Sequence, residues 1–185
     1  MTRVSAVVIA AGASTRLGEP KQLVPLGGEA MLERSVRIAM EAGCSPVVVV
    51  LGSSAEQIQQ ATQLHGAQVA INHDWMKGMG SSIGVGIGVL RGIDGAVLMT
   101  CDMPSVTSAH LRALASTGEA TGSSYAGRCG VPAYFPKSMF PQLCELEGDT
   151  GARQLLQSAR SIELPGGALD VDTQEDVRIA QRLFG

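Results

Sequence analysis

The sequence predicts an α/β fold, a Rossmann-like three-layer α/β/α sandwich built on a mostly parallel sheet. Short apolar, β-branched runs recur at Val4–Ala10, Val47–Leu51 and Gly95–Thr100. Continuous apolar character over so few residues marks strands covered on both faces. Segments with apolar residues at helical spacing lie between them. Repeated strand–helix alternation leads to parallel neighbours with helices on both faces.

Val4–Ala10 is the first strand. Met31–Ala42 reads as a helix, with Met31, Leu32, Ser35/Val36 and Ala39/Met40 on one face and Gly43 as its stop. Pro46 precedes the second strand, Val47–Leu51. Ser53 or Ser54 caps a helix to about His65, and Gly66 closes it. Val69–Ile71 is the third strand. Ser81–Leu90 is ambiguous on local rules: Gly84, Gly86 and Gly88 alternate with apolar residues as in a strand. Each glycine also weakens a helix by about 1 kcal/mol. Gly95–Thr100 is the fourth strand, ending at Cys101-Asp102. Thr107 or Ser108 caps a helix to about Thr117. The Gly/Ser-rich stretch Gly118–Gly130 reads as a mobile connector, and Tyr134-Phe135 follows Pro132 in an extended piece. Gly151–Ala159 is predicted helical and Ile162–Leu164 a short strand. Thr173–Phe184 is a final helix, capped by Thr173 with Asp176 reaching back. No repeat or linker interrupts the pattern, so residues 1–185 are expected to form one domain.

The net charge is −3, with no basic block, which argues against a nucleic-acid partner. No apolar run approaches the ~20 residues of a membrane span, so no membrane partner is expected. The first strand begins at Val4, leaving no room for a signal peptide. Cys44, Cys101, Cys129 and Cys144 lack C-x-x-C spacing, which suggests no zinc site and fits a reducing cytoplasm, the expected location.

In open α/β sheets, ligands sit beyond the carboxyl ends of the strands. Three loops of chemical character lie at such ends: Ala11–Lys21, Asn72–Ser82 and Asp102–Pro104. The first runs Ala10-Ala11-Gly12-Ala13-Ser14-Thr15-Arg16-Leu17-Gly18-Glu19-Pro20-Lys21. Small residues let backbone amides approach an anion, and Arg16 and Lys21 suit a polyphosphate. A plain surface loop fits the same composition. Neither G-x-G-x-x-G nor G-x-x-x-x-G-K-[ST] is present. The second loop reads as a base-contacting loop or as a Gly-rich connector whose Ser81 or Ser82 caps a helix. Asp102, at the end of a buried strand, is costly there unless partnered. With a triphosphate nearby its expected partner is Mg2+; a turn aspartate is the alternative.

The first loop resembles the signature A-A-G-x-S-x-R-x-G-x-x-K of the MobA-like NTP transferases. Ala10-Ala11 before Gly12 is similar to the molybdenum cofactor (molybdopterin) cytidylyltransferase branch. Asn72-His73-Asp74-Trp75 with Gly78-Met79 and Ser82 resembles the family's base-recognition loop, Cys101-Asp102-Met103-Pro104 its metal motif, and Asp170-Val171-Asp172-Thr173-Gln174-Glu175-Asp176 its closing motif. Gly148-Asp149-Thr150-Gly151-Ala152-Arg153 also matches. The family's G-H-P reads Gly130-Val131-Pro132 here, so the histidine is absent.

The resemblance implies the nucleotide-diphospho-sugar transferase type of sandwich, with a helix over Ser81–Leu90. It implies nucleotide binding by Ala10, Ala11, Gly12, Ala13, Ser14, Arg16, Lys21, Asn72, Gly78, Met79, Ser81 and Ser82. Arg16, Lys21 and Asp102 take catalytic roles. Asp102 and Asp172 ligate Mg2+, with Asp170 a weaker candidate. Arg128, Gly130, Pro132 and Arg153 contact the acceptor, and Trp75 anchors its loop. The implied reaction is Mg-dependent transfer of CMP from CTP to the phosphate of molybdopterin, with release of pyrophosphate. A transient contact with a molybdoenzyme or its maturation factor follows from such a product. Val131 keeps other readings open: GTP as donor, another phosphorylated acceptor, a nucleotide-binding accessory protein, or a reductase of the same fold.

Overall fold

The computed structural model describes residues 2–185. Strands β1 (Val4–Ala10), β4 (Val47–Leu51), β5 (Gln68–Ile71) and β6 (Gly95–Thr100) form a parallel half-sheet, as expected from their apolar runs. A short hairpin, β2 (Pro25–Leu26) with β3 (Glu29–Ala30), stands apart. The seven-stranded sheet has the order β5-β4-β1-β6-β8-β7-β9, with β7 (Thr121–Tyr125), β8 (Arg128–Pro136) and β9 (Arg160–Glu163). Strand β8 runs antiparallel to both β6 and β7, while β9 is parallel to β7.

Alternation along β1 sends Ala6, Val8 and Ala10 to one face and Val7 and Ile9 to the other. The first face is covered by α1 (Met31–Glu41) and α4 (Ser108–Ser116), through Leu32, Val36, Leu111 and Leu114. The second is covered by α3 (Met79–Gly88) and α5 (Phe140–Cys144), through Ile83, Ile87 and Leu143. A third apolar cluster joins Leu17, Val24 and Leu26 to Val171, Val177 and Ala180, seating α6 (Gln174–Phe184) under the first loop. Thr173 caps α6 and Asp176 closes the reciprocal bond, as the sequence predicts.

Four expectations change. Helix α2 spans only Ala55–Ala61, because Thr62 is already extended. The Gly118–Gly130 stretch contains strand β7, whose Thr121, Gly122 and Ser123 are buried between β8 and β9. Small residues there reflect lateral packing rather than mobility. Gly151–Leu156 is a 3-10 helix, shorter than the predicted segment. The ambiguous Ser81–Leu90 stretch is helical, as the resemblance implies, but α3 both starts and ends two residues earlier, at Met79 and Gly88. Its glycines allow close approach. A Cβ at Gly86 would collide with Val7 Cγ1 and lie 2.8 Å from Val50 Cγ2, and one at Gly80 would lie 2.5 Å from the Leu146 carbonyl oxygen. Tertiary packing overrides the helix propensity of these residues.

Candidate active site

The chain leaves β1 at Ala10 and curls back to a 3-10 turn at Lys21–Leu23. Gln22, buried in this turn, holds the curl shut. Its Nε2 donates to the carbonyls of Ala10 at 2.7 Å and Gly12 at 3.2 Å. Ser14, at φ +53°, accepts from the Lys21 amide through Oγ at 3.1 Å. Sequence reasoning missed the part of Gln22, because a side chain bonded to backbone carbonyls leaves no periodic signal.

Lys21 points into a cleft of about 320 Å³ at the carboxyl ends of β1 and β6. Asp102 enters it two residues after β6. Asp172 is brought alongside by the Val171 amide donating to the Asp102 carbonyl at 2.9 Å. The Asp172 amide donates to Asp176 Oδ2 at 3.2 Å, so the capping network of α6 orients this loop. The Lys21 ammonium donates to Asp102 at 2.6 Å and to Asp172 at 2.8 Å. Arg16 donates to the other Asp172 oxygen at 2.7 Å. Burial works against the Lys21 charge, but the Asp102 charge and the hydrogen bonds to both carboxylates outweigh it and hold the ammonium above its ordinary pKa. Asp170 lines the same cleft. Burial, then repulsion from Asp102, pushes its pKa up to about 6.

No cluster of three or more His, Cys, Asp or Glu side chains suited to a metal occurs among the described residues. Two carboxylates converging on one cation suit a hard ion that completes its shell with phosphate oxygens and water.

Beside this cleft a recess of about 290 Å³ is lined by Ala11, Gly12, Trp75, Gly78, Met79 and Ser82. Trp75 is half-buried against Gly52, where a Cβ would lie 2.6 Å from the Trp75 Cβ, so it anchors the loop while lining the recess. Asn72 is buried. Its Nδ2 donates to Ser81 Oγ and Ser82 Oγ, each at 2.9 Å, and its Oδ1 accepts from the Asp74 amide. Asn72 therefore shapes the loop from within. Gly78 is the N-cap of α3, so Ser81 and Ser82 fall in the first turn and neither is the cap. Ala13 and Ser14 line a separate recess with Thr15, Gly18 and Ser54.

On the other side, Arg128, Gly130 and Arg153 line a cavity of about 180 Å³ that shares Met79, Tyr125, Val131 and Asp170 with the Lys21 cleft. The Arg128 guanidinium lies 5.2 Å from the Tyr125 ring centroid and 3.8 Å from Asp170. Pro132 is the exception among the expected acceptor residues, being buried behind this wall rather than lining it. Tyr125, at the junction of the two spaces, was not singled out from the sequence; a lone aromatic in a Gly/Ser-rich stretch carries no motif.

An α/β sheet with a small-residue loop, a lysine held by two carboxylates and adjoining recesses is the architecture of a nucleotidyltransferase. The chain belongs to the family of the MobA-like NTP transferase domain, whose model matches residues 6–163. Among curated relatives, the purine catabolism protein PucB of Bacillus subtilis is 32% identical, covering 95% of each chain. Nicotine blue oxidoreductase of Paenarthrobacter nicotinovorans is 28% identical, over 98% of this chain and 95% of its own. Among solved structures, Rv0371c of Mycobacterium tuberculosis in complex with manganese is 31% identical, with a TM-score of 0.83, over 98% of this chain and 99% of its own. A nucleotidyl transferase from Methanothermobacter is 25% identical with a TM-score of 0.83, over 98% of both chains. Among the described residues no helix is long and apolar enough to cross a membrane.

Proposed function

We propose that this chain, acting as one domain over residues 1–185, transfers CMP from CTP to the phosphate of molybdopterin and releases pyrophosphate. The observation that carries the reading is the convergence of Arg16, Lys21, Asp102 and Asp172 on one cleft between two recesses. The recess at Gly12, Trp75 and Ser82 takes the base, the loop amides and Ser14 take the triphosphate, and the cavity at Arg128 and Arg153 takes the acceptor.

The acceptor's phosphate oxygen attacks the α-phosphorus in line. The new P–O bond forms as the bond to the β-phosphate bridging oxygen breaks, and the electron pair leaves with pyrophosphate. A phosphate monoester is already ionised near neutral pH, so no strong general base is needed. The chain's work is positioning and charge compensation. Lys21 and Arg16 offset charge on the transferring and leaving phosphates. Asp102 and Asp172 would hold Mg2+, which supplies charge neutralisation on the triphosphate oxygens when bound. The manganese complex of Rv0371c supports a divalent cation here. Ala10-Ala11 ahead of Gly12 supports CTP over GTP.

A second reading, a nicotinamide-dependent reductase, is favoured by the name of one relative, nicotine blue oxidoreductase. The lack of G-x-G-x-x-G in the first loop speaks against it. Thermal melting with CTP, GTP, ATP or NADPH, each with and without Mg2+, separates these readings. A ligand at one hundred times its Kd adds about 2.7 kcal/mol. Selective stabilisation by Mg·CTP is expected. Selectivity for GTP would move the chain to the guanylyl branch, and stabilisation by NADPH alone would replace the transferase reading.

A further inference from the structure

The pairing of β7 with β8 slips between Gly122 and Ser123: Gly122 faces Ala133, but Ser123 faces Gly130. Val131 and Pro132 are left without partners on β7, and β6 pairs with β8 only as far as Ala133. Such a bulge re-aims the chain beside a site. It also leaves two carbonyls that must find donors.

Side chains of β7 supply them. Ser123 Oγ donates to the Pro132 carbonyl at 2.6 Å, and the Tyr125 hydroxyl donates to the Val131 carbonyl at 3.0 Å. Two residues apart on a strand, Ser123 and Tyr125 share a face. Ser123 is itself held from α4, where His110 Nε2 lies 2.7 Å from its Oγ. The single hydroxyl proton is committed to Pro132, so Nε2 carries the hydrogen and donates. Burial lowers the His110 pKa, disfavouring the charged ring. Ser123 and His110 are buried, and neither touches the cavities described above. Val131, gripped in this way, lines both the Lys21 cleft and the Arg128 cavity.

We infer that Ser123, His110 and Tyr125 are positioning residues that fix the Val131–Pro132 bulge as the partition between nucleotide and acceptor, and that this partition sets affinity for the phosphorylated acceptor. The inference rests on the transferase reading for its substrate, but not for its geometry.

The full-length chain carrying Tyr125→Phe, which removes one oxygen from a half-buried ring, is compared with Ser123→Ala. Amide hydrogen exchange is measured without substrate, and steady-state kinetics with molybdopterin and CTP. Tyr125→Phe removes one neutral hydrogen bond, about a tenfold effect, and Ser123→Ala removes two, to Pro132 and from His110, so its effect is at least as large. Exchange at Gly130 and Val131 should quicken by about that factor while β1 is unchanged. The KM for molybdopterin should rise about tenfold, with kcat and the KM for CTP within about twofold. Wild-type exchange at the bulge in both variants, or an equal rise in the KM for CTP, overturns the inference. If the wild-type chain transfers nothing to molybdopterin, the acceptor reading fails and exchange alone decides the clamp.

Discussion

Lys21 and Asp102 are bonded ammonium to carboxylate at 2.6 Å, and the same ammonium reaches Asp172 at 2.8 Å. A lysine thus occupies the point where two carboxylates converge. On the proposed reading, Asp102 and Asp172 would hold a divalent cation for charge neutralisation, and Lys21, no longer needed to balance them, would serve the phosphates.

Lys21→Met should cut turnover at least about 100-fold, the scale of one lost transition-state contact. It also removes the cation shared by two carboxylates, leaving Asp102 unpaired and Asp172 with Arg16 alone, which costs on the order of 2 kcal/mol for a partly buried cluster. Added Mn2+ without nucleotide should then raise the melting temperature of the variant more than that of wild type. Equal shifts would remove Asp102 and Asp172 as the metal's ligands.

Arg153 is exposed at the edge of the cavity that it lines with Arg128 and Gly130. Arg153→Met should raise the KM for molybdopterin about tenfold or more, the scale of a charge-assisted hydrogen bond. Melting should stay within about 0.5 kcal/mol of wild type. A KM for CTP that rises in step would place Arg153 on the triphosphate instead.

Gly86→Ala sets two principles in opposition. Helix propensity predicts a gain of about 1 kcal/mol. Packing predicts a loss of about 1–3 kcal/mol, because the added Cβ collides with Val7 and crowds Val50, both stiff β-branched side chains. The loss should win, and chemical denaturation reads the sign directly.

The pKa of His110 is lowered by burial, so the folded chain binds a proton there less readily than the unfolded one. Its contribution is complete above the unfolded value of about 6.5 and is lost as pH falls through the lower folded value. His110→Gln removes that dependence. At pH 7.5 the variant should be less stable by about 1 kcal/mol, the worth of a hydrogen bond. The gap should narrow as the pH is lowered to 5. A gap that stays constant would mean that His110 is not protonated on unfolding in this range.

Much of this was legible in the chain. Val4–Ala10, Val47–Leu51 and Gly95–Thr100 announce themselves because strands buried on both faces must be apolar throughout. Thr173 and Asp176 announce a helix start because two backbone donors there need acceptors. The motif residues Arg16, Lys21, Asp102 and Asp172 meet in space. Strand β7 was hidden because Ser123 and Gly122 are small for the sake of neighbours distant in sequence. Gln22 and His110 were hidden because each acts through a hydrogen bond that only folding brings about.

The family match ends at residue 163, yet Asp172 and the helix that underlies the first loop both follow it. A protease cut or an engineered stop after the last matched residue would keep Asp102 and lose its opposite number. It would also strip Leu17, Val24 and Leu26 of the apolar surface beneath them. A fragment trimmed to the shared core of the family would therefore keep the sheet but lose one side of its cleft.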